Sequence, residues 1–188
     1  MSDFSLSAAA ATVRVLFEDA QSILAQVELA LSNDTTLAST AGDGDNNNNN
    51  THPQQLSTLR ARLQLFSHHT KQATQIILDA PVIHPQFAQV LQSGLEECQS
   101  AVNVVTGGVG SAVKTGEGAA AGAVAAKRDV LDRYTALFGS YVRFFSLSIQ
   151  LLIMETEKEQ ETMLADAGVT NIVNDARQAA ERVLSLSR

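Results

Sequence analysis

The sequence contains no tryptophan and a single cysteine, Cys98, among its 188 residues. A lone cysteine excludes an internal disulfide framework and is typical of a protein from a reducing compartment. No Lys, Arg or His lies within one helical turn of Cys98, so no neighbouring cation lowers the pKa of its thiol. We therefore predict that Cys98 packs as a small apolar residue and not as a reactive thiol.

Basic residues are also few: 13 Lys and Arg stand against 20 Asp and Glu, and the net charge is −7. Phosphate recognition needs concentrated Lys and Arg, so we expect no nucleic acid among the partners. The opening Met1-Ser2-Asp3-Phe4 lacks the basic region and apolar core of a secretory signal, and no uncharged apolar stretch reaches about 18 residues. The expected location is the cytoplasm, with membrane association reserved for an activated state.

Strand signals are lacking as well, and apolar residues recur instead at three- and four-residue spacing. This periodicity predicts an all-α fold, a helical bundle of four long helices plus a short C-terminal helix, in one domain spanning residues 1–188. The heaviest apolar load lies in residues 125–163. We predict that this stretch is one long helix and that the other helices surround it.

The first two helices are predicted from the same pattern. Residues 5–31 keep a seven-residue apolar repeat, and Asp3 or Ser5 can accept a hydrogen bond from the first helical turn. A second helix is expected over residues 54–79, since Pro81 cannot continue it.

Proline and glycine also mark the later helices. Pro85 suits a first helical turn and predicts a third helix with a core face reaching about residue 105. Gly168 is expected to end the long helix, after which Thr170 or Asn171 would cap the short C-terminal one.

Two stretches interrupt the helical pattern. Residues 32–53 have too little apolar surface to offset the entropy of ordering, which predicts a disordered insertion. Residues 106–124 are rich in Gly and Ala, and we expect a flexible connection because clustered glycines disfavour helix in water. The alternative is a helix in which Gly118 and Gly122, four residues apart, allow a second helix to approach closely.

No spacing in the chain assembles a catalytic or metal-binding constellation. His68 and His69 are neighbours and not an i, i+4 pair, which disfavours a metal site. The glutamates between residues 155 and 161 alternate along the chain and therefore point to different sides of a helix. We predict a non-enzymatic protein with no cofactor.

The pattern of helix faces resembles one known family. The resemblance rests on four features of the sequence. They are the opening Met1-x-Asp3 followed by Ala8-Ala9-Ala10, the Leu59-x3-Leu63-x2-Phe66 helix, the Leu91-x3-Leu95-x2-Cys98 helix, and Arg133-Tyr134-x2-Leu137-x6-Phe144-x2-Leu147 near the end. Together they resemble the HeLo-like N-terminal domains of fungal NLR-type (STAND) proteins. The resemblance covers most of the chain outside residues 32–53.

This resemblance implies a signalling domain of programmed cell death in fungal non-self recognition, or heterokaryon incompatibility. Such a domain acts by self-association or membrane engagement, so the implied partners are a second copy, membrane lipid or an NLR-type protein. The candidate contact residues lie in the first helix and the Gly/Ala-rich stretch: Leu6, Val13, Phe17, Gly118 and Gly122. The alternative is a soluble helical scaffold or adaptor that binds a partner helix without contacting lipid.

Overall fold

The computed structural model describes residues 5–38, 51–114 and 121–187. Within these ranges the chain forms only helices and their connections, which confirms the predicted all-α bundle. The elements are α1 (Leu6–Ala38), α2 (Thr51–Ile77), α3 (Pro85–Ala112), α4 (Ala121–Leu152), α5 (Glu157–Leu164), α6 (Ala167–Leu184) and a terminal 3-10 turn (Ser185–Ser187). Their buried apolar residues form one continuous cluster.

Helix α1 follows the predicted apolar repeat and packs on α2 and α3. The Ser5 hydroxyl accepts a hydrogen bond from Ala8 N at 3.4 Å, as expected of a cap. The helix ends at Ala38, so the predicted insertion was wrong for residues 32–38, and α2 includes residues 51–53 as well. Extending an existing helix adds one hydrogen bond per residue fixed, which offsets the weak propensity of polar residues. Residues 39–50 lie outside the described part.

Helix α4 supplies an aromatic centre to the core, as its apolar load predicts. The ring of Phe66 on α2 packs edge-to-face against Phe138 and Phe145, with centroid distances of 5.1 and 5.6 Å. Edge-to-face pairs place the positive rim of one ring on the negative face of the other. These contacts fix α2 against α4 along the middle of the bundle.

The Gly/Ala-rich stretch is not a connection over its first part. Helix α3 continues through the glycines to Ala112 and ends with Val113 as its C-cap, while α4 already begins at Ala121. A Cβ at Gly108 would lie 2.5 Å from Tyr134 Oη, so the missing side chain lets the phenol of α4 lie directly against α3. Burial of Val109 on the same turn holds this region helical. Residues 115–120 lie outside the described part.

The single helix predicted over residues 125–163 is in fact two. Helix α4 ends at Leu152, and Thr156 begins α5 through a capping box. Thr156 Oγ1 accepts a hydrogen bond from Glu159 N at 3.3 Å, and Thr156 N donates to Glu159 Oε2 at 3.1 Å. This reciprocal pairing satisfies the first turn of a new helix and therefore favours a break over continuation.

The predicted cap of the last helix was also wrong. Asp166 is the N-cap of α6, with its Oδ1 accepting a hydrogen bond from Gly168 N at 2.6 Å. Gly168 therefore lies in the first turn of α6 and does not break the preceding helix. A carboxylate is a strong acceptor for the unpaired N–H groups of a helix start, which explains why the helix begins before Thr170 and Asn171.

Candidate functional site

The structure does not bring the predicted contact residues together. Val13 has no exposed surface and belongs to the core, so it cannot contact a lipid or a second copy in this fold. Leu6 and Phe17 are half-buried on the same helix. Gly122 is exposed with no neighbouring atom within 4 Å of its Cβ position, and Gly118 lies outside the described residues.

A larger candidate is the groove formed where α4, α5 and α6 meet, with a volume of about 600 Å³. Val142, Ser146 and Gln150 recur every four residues and so line one wall from a single face of α4. The opposite wall comes from Met163 on α5 and Ile172 on α6. The break after Leu152 ends α4, and the following helix α5 contributes Thr162 and Met163 to the groove.

One methionine, Met163, lines the groove. Met154 and Met163 are the only methionines besides Met1. Met163 borders both the groove and a second hollow of about 460 Å³, which Met154 also lines. Next to Met154, the side chain of Ile153 is 59% exposed. Methionine side chains are flexible and polarizable and adapt to partner surfaces of different shape.

Two polar residues of the groove, Arg143 and His69, have partners outside it. Arg143 and Asp175 form an ion pair at 3.3 Å that joins α4 to α6 beside the groove. Both side chains are about half exposed, and such pairs contribute roughly 0 to 1 kcal/mol. His69 of α2 places its Nδ1 2.8 Å from Leu65 O, and this contact requires a proton on Nδ1. The Nε2 atom is left for other interactions.

Charge is separated between two surfaces near the groove. The segment 155–161 carries four glutamates and one lysine, and all of these charged residues are exposed. Helix α2 carries three Lys and Arg residues and no Asp or Glu. Arg60 and Lys71 are both exposed and stand eleven positions apart (71 − 60), about three helical turns, so they share one face.

Among the residues that the structure describes, no three His, Cys, Asp or Glu side chains are grouped so that they could hold a metal ion. His68 and His69 pack their rings edge-to-face with centroids 5.6 Å apart.

Cys98 is buried, as predicted, and burial raises the pKa of its thiol. No helix in the described ranges is both long and apolar enough to cross a membrane.

Sequence reasoning missed Gln160, which stood in a stretch interpreted as a solvated face. Its side chain is fully buried and donates hydrogen bonds to Leu151 O at 2.9 Å and Val82 O at 3.0 Å. It also accepts one from His84 N at 2.6 Å. The Thr-x-x-Glu sequence at Thr156 could have indicated the burial of Gln160. It is typical of a helix start, and a new helix beginning there changes which face of residues 157–164 turns inward.

The chain shows no match to a protein-family model, to a curated protein or to a solved structure.

Proposed function

We propose that this protein is a non-enzymatic signalling module that assembles head to tail. The groove bordered by α5 in one copy receives the exposed side of α2 from the next. Self-association of this kind is the mode of action that the HeLo-like resemblance implies for cell-death signalling. Because a copy that fills one groove still offers its own, the interface adds further copies in the same direction.

The observation that carries this proposal is the separation of charge. The exposed side of α2 is cationic without any acidic residue, and the segment 155–161 beside the groove has a net excess of three negative charges (four Glu less one Lys). Opposite potentials on two surfaces of one chain steer copies together and fix their orientation. Two copies of the same surface carry charge of the same sign and repel each other. A symmetric dimer through either surface is therefore disfavoured.

Exposed apolar side chains stand on both surfaces and supply contact area. Leu65 on α2 is 44% exposed, and Ile153, which directly precedes Met154, is 59% exposed. Large exposed apolar side chains are typical of interaction sites. Charge then determines which surfaces meet, and apolar contact holds them.

Membrane engagement through α1 would require a different state of the protein. The inner face of α1 is buried against α2 and α3, with Val13, Leu16 and Ile23 fully inaccessible. Lipid contact by these residues therefore requires α1 to leave the bundle. Assembly through the groove needs no such opening, which is why we place self-association first.

The test is a charge-swap complementation followed by light scattering. Variant A carries Arg60→Glu and Lys71→Glu, and variant B carries Glu155→Lys and Glu161→Lys. Glu159 is left intact because it caps α5. The wild-type protein should grow in mass with concentration at about 10 mM salt and return toward monomer at about 1 M, where the Debye length falls from about 30 Å to about 3 Å.

Variants A and B should each remain monomeric, and their equimolar mixture should regain the assembly of the wild-type protein. In the mixture, the acidic segment 155–161 of A meets the basic helix α2 of B, and the reversed, basic segment of B meets the reversed, acidic helix α2 of A. Both contacts join opposite charges, so the two variants alternate along the assembly. Arg14→Glu with Lys114→Glu changes the net charge as variant A does, on exposed residues outside both surfaces, and should assemble like wild type.

A wild-type chain that stays monomeric at both salt concentrations contradicts the proposal and favours the scaffold that binds a foreign helix. Dye release from vesicles of phosphatidylcholine, with and without phosphatidylserine, is measured on the same samples. Release by variants A and B at the wild-type rate would place the activity in membrane engagement and not in assembly through the groove.

A further inference from the structure

The C-terminal end of α6 is held against α4 by one arginine. Arg133 Nη1 donates hydrogen bonds to Ser185 Oγ and to Arg182 O, both at 3.2 Å. The Nε atom of the same guanidinium faces Asp129 Oδ2 at 2.8 Å. The hydroxyl of Ser185 in turn donates to Arg182 O at 2.7 Å. Ser185 is exposed, so a serine hydroxyl at the surface lies directly on a guanidinium group.

Ser185 also stands in a sequence that the basophilic class of protein kinases recognises. It follows Arg182 by three positions, and Ser146 is the only other serine or threonine in the chain that follows an arginine at this spacing. Kinases select their substrates by such charge patterns, and acidic groups of a basophilic kinase bind the arginine that precedes the serine. Arg182 is exposed, so a kinase can reach it.

The structure distinguishes these two serines. Ser185 is the C-cap of α6 and the first residue of the terminal 3-10 turn. Ser146 is half-buried and lies within α4, far from either end of that helix. Helix ends fray at little cost in free energy, whereas opening the middle of a long helix is expensive. Ser185 is therefore the accessible member of the pair.

A phosphate group on Ser185 would meet a cation that is already in place. A guanidinium presents five N–H donors in a planar fork that matches phosphate oxygens, and such charge-assisted hydrogen bonds are roughly twice as strong as neutral ones. Three groups act against the phosphate: the carboxylate of Asp129 beside Arg133, the carboxylate of Glu181 four residues before Ser185, and the negative end of the α6 dipole. Glu181 is exposed and screened by salt, while the contact with Arg133 is direct, so attraction exceeds repulsion.

We propose that Ser185 is a phosphorylation site for a basophilic serine kinase, and that the phosphoserine binds Arg133 and fastens the end of α6 to α4. In the reaction, Ser185 Oγ attacks the γ-phosphorus of ATP. The new Oγ–P bond replaces the bond to the bridging oxygen, ADP leaves, and the hydroxyl proton passes to the catalytic carboxylate of the kinase. The proposal is independent of self-association, because Arg133, Arg182 and Ser185 neither line the groove nor belong to α2.

The site is tested on the full chain with MgATP and a serine kinase that requires arginine three residues before its target. Mass spectrometry identifies the modified residue, and we expect one phosphate, on Ser185. Ser185→Ala should abolish incorporation, and Arg182→Gln should lower kcat/KM roughly 10-fold or more, the size of one hydrogen bond to a charged group. Ser187→Ala is the matched control at an exposed serine two residues later, and it should be modified at the wild-type rate.

The role of Arg133 is tested by phosphorus-31 NMR of the phosphorylated chain. The second ionisation of a phosphoserine has a pKa of about 6, and a neighbouring cation favours the doubly charged form. The pKa of the phosphoserine should therefore be lower in the wild-type chain than in Arg133→Gln. Arg14→Gln removes the same charge from an exposed position of α1 and should leave this pKa at the wild-type value.

Three results would overturn the assignment of the site. They are an absence of phosphate on Ser185 in the wild-type chain, incorporation at Ser146 or Ser187 in its place, and an unchanged rate in Arg182→Gln. An equal phosphoserine pKa in the wild-type chain and in Arg133→Gln contradicts the binding of the phosphate by Arg133.

Discussion

Gln160 Oε1 accepts a hydrogen bond from His84 N at 2.6 Å and so ties α5 to the chain just before α3. The same side chain reaches the last turn of α4 through Leu151 O. One buried amide thus joins α5 to the end of α4 and to the connection before α3. An amide can do this because it offers both donors and an acceptor.

Replacing Gln160 by Leu should destabilise the protein by about 2 to 4 kcal/mol, because buried backbone groups lose their partners while the volume is kept. Urea denaturation followed by circular dichroism measures the change. Gln178→Leu, at an exposed position of α6, is the matched control and should change the free energy of unfolding by less than about 0.5 kcal/mol. Equal effects of the two variants would contradict the buried role of Gln160.

Neighbouring glycines of α3 should respond to alanine in opposite directions. A Cβ at Gly107 meets nothing within 4 Å, so Gly107→Ala should stabilise the helix by about 0.5 to 1 kcal/mol. Gly108→Ala should destabilise by about 1 to 3 kcal/mol, because the new methyl group overlaps Tyr134 Oη. Thermal unfolding of both variants tests whether these residues are helical. A flexible connection would leave both unfolding midpoints unchanged.

Stability should fall at alkaline pH because of Cys98. Burial raises the pKa of its thiol in the folded state, so the unfolded chain loses this proton at a pH where the folded chain keeps it. The contribution is fully present below the unfolded pKa of about 8.5 and is lost above it, by about 1.4 kcal/mol per pH unit. Denaturation curves between about pH 7 and pH 9.5, measured in reductant, report this slope.

Cys98→Ala should flatten that slope even though it lowers stability at neutral pH. Val102→Ala removes apolar volume from the same helix and retains the thiol, so it should lower stability at all pH values and keep the slope. The same slope in Cys98→Ala as in wild type would assign the pH dependence to another group.

The long helices were predictable because their apolar residues repeat over many turns. Val13, Ala20 and Val27 stand seven residues apart, and all three are fully buried. The signal is strong because the helix is long. One polar residue at an apolar position does not hide a repeat that extends over four turns. The same apolar repeat packs into the core. Val13 is therefore buried and cannot belong to the predicted contact surface.

The break after Leu152 was not predicted because apolar residues continue across it. Ile153 and Met154 extend the pattern of α4, yet Ile153 is exposed and Met154 only partly buried. The capping interactions of Thr156 outweigh that continuity locally. The groove depends on this break and on the packing of α6, and neither follows from periodicity.

Helix α5 is only eight residues long, and an isolated helix of this length does not persist in water. It is held by its capping box and by Gln160, yet it supplies Met163 and three of the four glutamates of the segment 155–161. We therefore expect α5 to open locally at a lower free energy than global unfolding. In the head-to-tail assembly that we propose, melting these two turns would remove one of the two contact surfaces while the four long helices stay folded.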